Sequence, residues 1–194
     1  MSQEKLLPKI EQGLLTRCQM GDMEAFGELY ERYARAVFRY AYHMIGDVEE
    51  ANDIMQDTFV KAHRNLAGFR GDCSLQTWLM KVAGNLCLDR VKRTNRRGDV
   101  ALNSEYFPDL PDLSSRGEDP ADKMERQDLH SMLYRVLDAL PPAQRELIVL
   151  RDIQELSYMQ IAERLSCSVA SVKLRLFRAR RSFKDRMQAL LAER

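Results

Sequence analysis

Apolar residues recur along this chain at steps of three and four, the period of a helix, and no segment of any length alternates one by one as a half-buried strand would. Leu14 to Met44 reads as a long helical stretch, with Gly21 and Asp22 marking a break. A second helix is predicted from Asp47, a candidate N-cap, with Glu50 placed three residues later to complete a capping box. Its buried stripe is Ala51, Ile54, Met55, Thr58, Phe59 and Ala62, which leaves Glu49, Glu50, Asp53, Gln56 and Asp57 exposed. After a glycine-bounded turn, Leu75, Trp78, Leu79, Val82 and Leu86 form the inward side of a third helix, and Thr77, Lys81, Asn85, Leu88 and Lys92 line another side. Further on, Met124 to Leu140 is stopped by Pro141 and Pro142, and Arg145 to Asp152 forms one more helix before the turn at Gln154. The fold class expected is all-α.

The last such unit, Ser157 to Arg186, reads as a short amphipathic helix, a tight turn and a second, basic helix. Ile161, Ala162 and Leu165 mark the inner face of the first; Val169, Val172, Leu176, Ala179 and Phe183 mark that of the second. At about 100° per residue the opposite side carries Ala170, Ser171, Leu174, Phe177, Arg178 and Arg181, flanked by Lys173 and Arg175. A cationic helix can be no more than a solvated surface. Two features weigh against that here. From Val169 to Arg186 seven Lys or Arg stand against the single acid Asp185, and Leu174 and Phe177 lie among the charges where a plain solvated face would be polar. Guanidinium, ammonium and hydroxyl groups suit phosphates and base edges, and the two apolar side chains suit thymine methyls and sugar edges. A helix-turn-helix presenting this face to DNA is the reading these residues favour.

Charge is distributed unevenly around a net +1. Residues 1 to 97 hold 15 basic and 13 acidic side chains, residues 98 to 120 hold only Arg116 against six acids, and residues 121 to 194 hold 14 against 10. The middle stretch, with three prolines and two glycines and no helical period, reads as an acidic flexible linker. The expected organisation is therefore two small helical domains, 1–97 and 121–194, joined by 98–120. Two cationic modules on an anionic tether suit separate footprints on one polyanion. Arg90, Lys92, Arg93, Arg96 and Arg97 form a run suited to backbone phosphates, and Phe69, beside Arg70 in the preceding loop, is placed to meet an extruded base. Trp78 falls on the apolar stripe and is expected in the core. The acidic start of the second helix, around Asp53, cannot be meant for DNA; it is either capping with a solvated face or a docking surface for a basic protein.

The chain, 194 residues long, has room for one or two small cores. No run of about 18 apolar residues is present to span a bilayer, and the opening MSQEKLLPKI lacks the apolar centre of a secretory signal. A cytoplasmic protein with no membrane insertion is expected. Cys18, Cys73, Cys87 and Cys167 are scattered, without a metal-binding or disulfide pattern, although Cys73 beside Gly71 and Asp72 leaves a redox-sensing thiol as an alternative. No phosphate-binding glycine loop and no grouping of His, Cys and acid appears, and His43, His63 and His130 sit singly on helices. No metal, no cofactor and no enzymatic centre is expected.

Taken together, GD-x-x-AF at Gly21–Phe26, D-x-x-Q-D-x-F at Asp53–Phe59, FRGD with TWL at Phe69–Leu79, L-P-x-x-x-R at Leu140–Arg145 and L-S-x-x-x-I-A at Leu156–Ala162 give a recognisable order and spacing. In that order the chain resembles the extracytoplasmic-function sigma factors of bacterial RNA polymerase, over nearly its whole length. The resemblance implies a region 2-like first domain that binds the clamp helices of the largest polymerase subunit through Asp53, Gln56 and Asp57. It implies that the same domain holds an unstacked base of the minus-10 element with Phe69, Arg70, Gly71, Asp72, Cys73 and Ser74, together with Lys81, Asn85, Lys92 and Arg93 on the next helix. It implies a region 4-like second domain, near the flap of the second subunit, reading the minus-35 element in the major groove with Ser171, Lys173, Leu174, Arg175, Phe177, Arg178 and Arg181.

The resemblance also implies an alternative sigma factor that directs promoter-specific initiation and aids promoter melting, and an anti-sigma factor that covers these surfaces until a stress signal arrives. The family's usual turn, C-P-x-G-T-V, is here Cys167-Ser168-Val169-Ala170-Ser171-Val172, lacking the proline and the glycine. Ser168 is expected to cap the helix instead, and Ala170 is a good helix former. The alternative function is a helix-turn-helix regulator acting on duplex operators without polymerase, which would need a dimerisation surface that the sequence does not supply.

Overall fold

The structure, a computed structural model, describes residues 9–97 and 131–192. All regular elements among the described residues are helical. The N-terminal part is built from α1 (Lys9–Gln19), α2 (Met23–Ile45), α3 (Val48–Asn65), a 3-10 turn (Leu66–Gly68) and α4 (Leu75–Arg97). In the C-terminal part, helix α5, described over residues 131–138, precedes α6 (Pro142–Ile148), a π turn (Val149–Ile153), α7 (Tyr158–Arg164) and α8 (Val169–Ala192). The linker expected at 98–120, the start of the helix expected from Met124, and the side chains of Arg96 and Arg97 lie outside the described residues.

The breaks fall where backbone chemistry requires them. Gly21 has φ +85°, a left-handed conformation that glycine adopts without steric cost. Asp22 then accepts the Ala25 amide at 3.0 Å and starts α2. Arg17 donates to Asp22 and to Glu28 at 2.8 Å each, bracing α1 against α2. Gly46, at φ +81°, closes α2 by returning its amide to the Tyr42 carbonyl at 2.7 Å. Asp47 accepts the Glu50 amide at 2.8 Å, so the predicted N-cap forms. The rest of the predicted capping box does not, because the Glu50 carboxylate pairs with Arg90 of α4. An ionised guanidinium is a stronger partner than a neutral amide. Arg90 also lies 3.9 Å from Asp53, so this member of the basic run ties α4 to α3.

Leu29, Val37, Tyr40 and Met44 of α2, Ala51 and Ala62 of α3, and Leu75, Leu79, Met80, Ala83 and Cys87 of α4 are fully buried. Each large side chain among them contributes about 1.5–3 kcal/mol relative to exposure. The inward side of α4 differs from its predicted stripe: Trp78, Val82 and Leu86 are half-buried, while Met80, Ala83 and Cys87 take the centre. The reason is that α4 packs on α2 and α3 and on α7 as well, so its covered arc is wider than one amphipathic stripe. Met55 of α3 is likewise half-buried.

In the C-terminal part α6 and α7 pack on α8, whose Val172, Leu176 and Ala179 are buried as the period predicts, with Val169 and Phe183 half-buried. Ser157 accepts the Gln160 amide at 3.2 Å while the Gln160 side chain accepts the Ser157 amide at 2.8 Å, a complete capping box at the start of α7. The two parts meet where α7 lies on α4 and where α2 lies against α6 and the π turn. Among the described residues no helix is long and apolar enough to cross a membrane.

Candidate nucleic-acid interface

The turn between α7 and α8 forms with neither proline nor glycine in Cys167-Ser168-Val169-Ala170. Ser166 takes φ +50°, the Cys167 amide donates to the Ala162 carbonyl at 2.9 Å, and the Ser168 hydroxyl accepts the Ser171 amide at 3.2 Å. That last bond is the cap expected of Ser168. Beyond it, Lys173, Arg175, Arg178 and Arg181 are exposed and Ser171 is half-buried. Leu174 and Phe177 stand 52% and 66% exposed among those charges, an apolar patch on a cationic helix. The Lys173 ammonium lies 5.6 Å from the Tyr158 ring centre, a cation–π contact across the turn. Arg180 pairs with Asp152 and so fastens α8 to the π turn.

The loop from Phe69 to Ser74 forms a second site. Gly71 is buried at φ +74°. Ser74 accepts the Thr77 amide at 3.1 Å and begins α4. Phe69, Arg70, Asp72 and Cys73 of the loop, with Thr77, Trp78 and Lys81 of α4, wall a cleft of about 590 Å³. The Phe69 and Trp78 rings are 4.9 Å apart at 32°, so Trp78 serves the cleft as well as the edge of the core. Asn85, Lys92 and Arg93 are exposed farther along α4, outside the cleft wall. Burial, with the nearby Glu163 carboxylate, pushes the Cys73 thiol up to about 11, so it stays protonated near neutral pH. That places it away from the low-pKa thiols suited to redox sensing.

On α3, Asp53, Gln56 and Asp57 are exposed on one side, with Val60 exposed a turn below Gln56 and Asp57. At its α4 side this acidic surface is bounded by Arg90, which pairs with Glu50 and lies 3.9 Å from Asp53.

Sequence reasoning missed three features. Gln19 of α1 donates to the Leu66 carbonyl at 3.1 Å and to the Phe69 carbonyl at 2.8 Å, anchoring the loop. Glu163 and Arg164 of α7 close the cleft from the second domain. Arg164 and Glu146 are buried as an ion pair at 2.5 Å against Tyr40 of α2. Gly84, inside an otherwise regular helix, was the available signal for a close approach at this point.

Residues 29–97 match the family described as Sigma-70 region 2, and residues 130–183 match that described as Sigma-70, region 4. The chain is 34% identical over 190 residues to the RNA polymerase sigma-H factor of Pseudomonas aeruginosa, covering 94% of this chain and 96% of that protein. It is also 34% identical over 190 residues to the ECF RNA polymerase sigma-E factor of Escherichia coli K12, covering 93% and 96%. Among solved structures it is similar to CnrH in complex with the cytosolic domain of CnrY, with a TM-score of 0.67, 25% identity, and 92% and 97% of the two chains covered. The sigma factor RpoE in complex with the anti-sigma factor NepR from Bartonella quintana shares the fold at a TM-score of 0.65 and 21% identity, over 82% and 94%.

Proposed function

This chain belongs to the sigma-70 family as an extracytoplasmic-function sigma factor, and from that membership we propose how its surfaces divide the work. A sigma factor associates with core RNA polymerase and directs initiation at particular promoters, while the polymerase performs the chemistry. In our assignment residues 1–97 are the core-binding and minus-10 domain, 98–120 the linker and 121–194 the minus-35 domain. Asp53, Gln56 and Asp57 meet the polymerase clamp helices. The Phe69–Ser74 cleft with Lys81 takes an unstacked base, Asn85 reads beside it, and Lys92 and Arg93 hold the strand's phosphates. The face of α8 carrying Ser171, Lys173, Leu174, Arg175, Phe177, Arg178 and Arg181 enters the major groove. An anti-sigma factor controls access to these surfaces.

The observation that carries this reading is the outward side of α8, where Leu174 and Phe177 remain uncovered among cations while the opposite side is buried. Run-off transcription from a promoter library, with purified core polymerase and with or without this chain, tests it. Specific transcripts that depend on the chain are expected. Tight duplex binding with no transcript would instead mark a regulator that acts without polymerase.

A further inference from the structure

Beside the outward face of α8, two cations gather on one aromatic ring. Tyr158, at the start of α7, has the Arg151 guanidinium 4.9 Å and the Lys173 ammonium 5.6 Å from its ring centre. Both distances fall within the roughly 6 Å over which a ring face attracts a cation. The ring itself is fixed. It is half-buried against the core, and the Ser157–Gln160 capping box pins the backbone that carries it. Two of its cationic neighbours are engaged elsewhere, since Arg151 donates to the Leu156 carbonyl at 2.8 Å and Arg180 pairs with Asp152. The Asp152 carboxylate raises the Arg180 pKa most and the Tyr158 hydroxyl adds to it, so the polar end of the phenol serves Arg180. The ring is what Tyr158 offers to Lys173.

The place of that ring decides where the ammonium goes. Along α8, Lys173 lies about 100° from Leu174 and about 140° from Arg178, so it leaves the helix at the edge of the outward face. Contact with Tyr158 then draws its ammonium across the turn towards α7. In helix-turn-helix docking the second helix reads base edges while the first crosses the sugar-phosphate backbone. A cation tied to the first helix is therefore placed for a phosphate, and the base edges are left to Leu174, Phe177 and Arg178. An untethered lysine would lose its rotamer freedom on binding, and the ring removes part of that loss beforehand.

We propose that Tyr158 is a positioning residue for DNA binding, whose ring holds Lys173 as a phosphate clamp at the edge of the major groove. The proposal rests on the minus-35 reading of α7 and α8 and deepens it, dividing the cationic face into a clamp and a reading surface. Lys173 then contributes affinity to every sequence alike, and discrimination comes from the residues beyond it. Tyr158 acts through Lys173 and not on a base.

Fluorescence anisotropy of the full chain on a minus-35 duplex recovered from the run-off library, measured across a salt series, tests both parts. Lys173→Ala should weaken binding equally on every single-base variant of the duplex. It should also lower the slope of log affinity against log salt by about 0.9, the value of one phosphate contact. A changed preference at one base pair would make Lys173 a reader and overturn the clamp. Tyr158→Phe keeps the ring and should bind as the wild type does. Phenylalanines bearing one to three ring fluorines at position 158 keep the shape while draining charge from the ring face. Affinity should fall along that series, to about two- to fivefold below wild type. In the Lys173→Ala chain the same series should change nothing, because the cation it acts on is gone. Equal steps in both backgrounds, or a flat series in the wild type, overturn the positioning role. A loss with Tyr158→Phe as large as that with Lys173→Ala would assign the effect to the hydroxyl and Arg180, and overturn it as well. Wild-type run-off transcription scores the sigma reading separately, so a chain that initiates at promoters but shows no such coupling refutes this inference alone.

Discussion

The Gln19 side-chain amide donates at 2.8 Å to the carbonyl of Phe69, 50 residues further along the chain. With its second bond, to the Leu66 carbonyl, this contact fixes the backbone where the cleft loop leaves the 3-10 turn. Each such bond contributes about 0.5–1.5 kcal/mol net. Gln19→Ala should therefore keep the helical circular-dichroism spectrum, lower permanganate reactivity of promoter thymines in the presence of polymerase, and leave duplex minus-35 binding unchanged. Equal loss of both DNA activities would show that Gln19 supports the whole fold rather than the loop.

Arg178→Ala should weaken binding to the best minus-35 duplex by about 1–3 kcal/mol and relax base preference at one position, if the guanidinium reads a base. Gel-shift titrations against a set of single-base variants measure both effects. A uniform loss across all sequences would make it a phosphate contact.

Asp57→Lys should reduce association with core polymerase in a competition assay against another sigma factor, with the thermal midpoint unchanged. Asp57 is the cleaner choice for this test because Asp53 lies within 3.9 Å of Arg90, so a change there would also disturb the brace between α3 and α4. Unaltered competition would remove this surface from the polymerase contact.

Ser168→Ala should cost about 0.5–2 kcal/mol by removing the cap on α8. Calorimetry would show a lowered midpoint, and minus-35 binding would weaken only as far as the folded fraction falls. A midpoint equal to the wild type would mean that the 3.2 Å contact to the Ser171 amide contributes nothing.

The Cys73 thiol, held up to about 11 by burial, should alkylate with iodoacetamide far more slowly near neutral pH than an exposed cysteine peptide. Because its folded-state value is raised, the folded chain retains this proton as pH rises past the ordinary thiol range. The group therefore contributes stability that declines between the ordinary thiol value and about 11. Mass spectrometry of the Cys73 peptide across pH reads the reactivity directly. Fast modification near neutral pH would contradict the environment described here.

What the sequence revealed depended on whether the information was local. Period alone placed Val172, Leu176 and Ala179 inward and Leu174, Phe177 and Arg178 outward, because a helix rotates by a fixed angle per residue. Asp47 and Ser168 were legible as caps because a capping oxygen accepts an amide only three residues on. Glu50 was not read correctly, since its partner Arg90 lies on another helix and only tertiary packing brings the two charges together. The same limit hid Glu146 and Arg164. Charged side chains in an amphipathic pattern read as surface, and nothing local to α6 or α7 indicates that Tyr40 and Gly84 will cover them. Trp78 was placed in the core rather than at a base because its stripe is apolar, but the loop brings Phe69 against its ring at the cleft.

The bare Cα of Gly84 also limits how this chain can exchange parts with its relatives. A chimera that keeps this second domain but takes a first domain with any side chain at the matching position would lose the berth for Arg164. The reciprocal swap, pairing this first domain with a partner whose α7 ends in a short residue, would leave an unfilled notch beside Tyr40. Hybrid factors assembled from such halves should inherit the promoter preferences of their parents but not the fit between their domains.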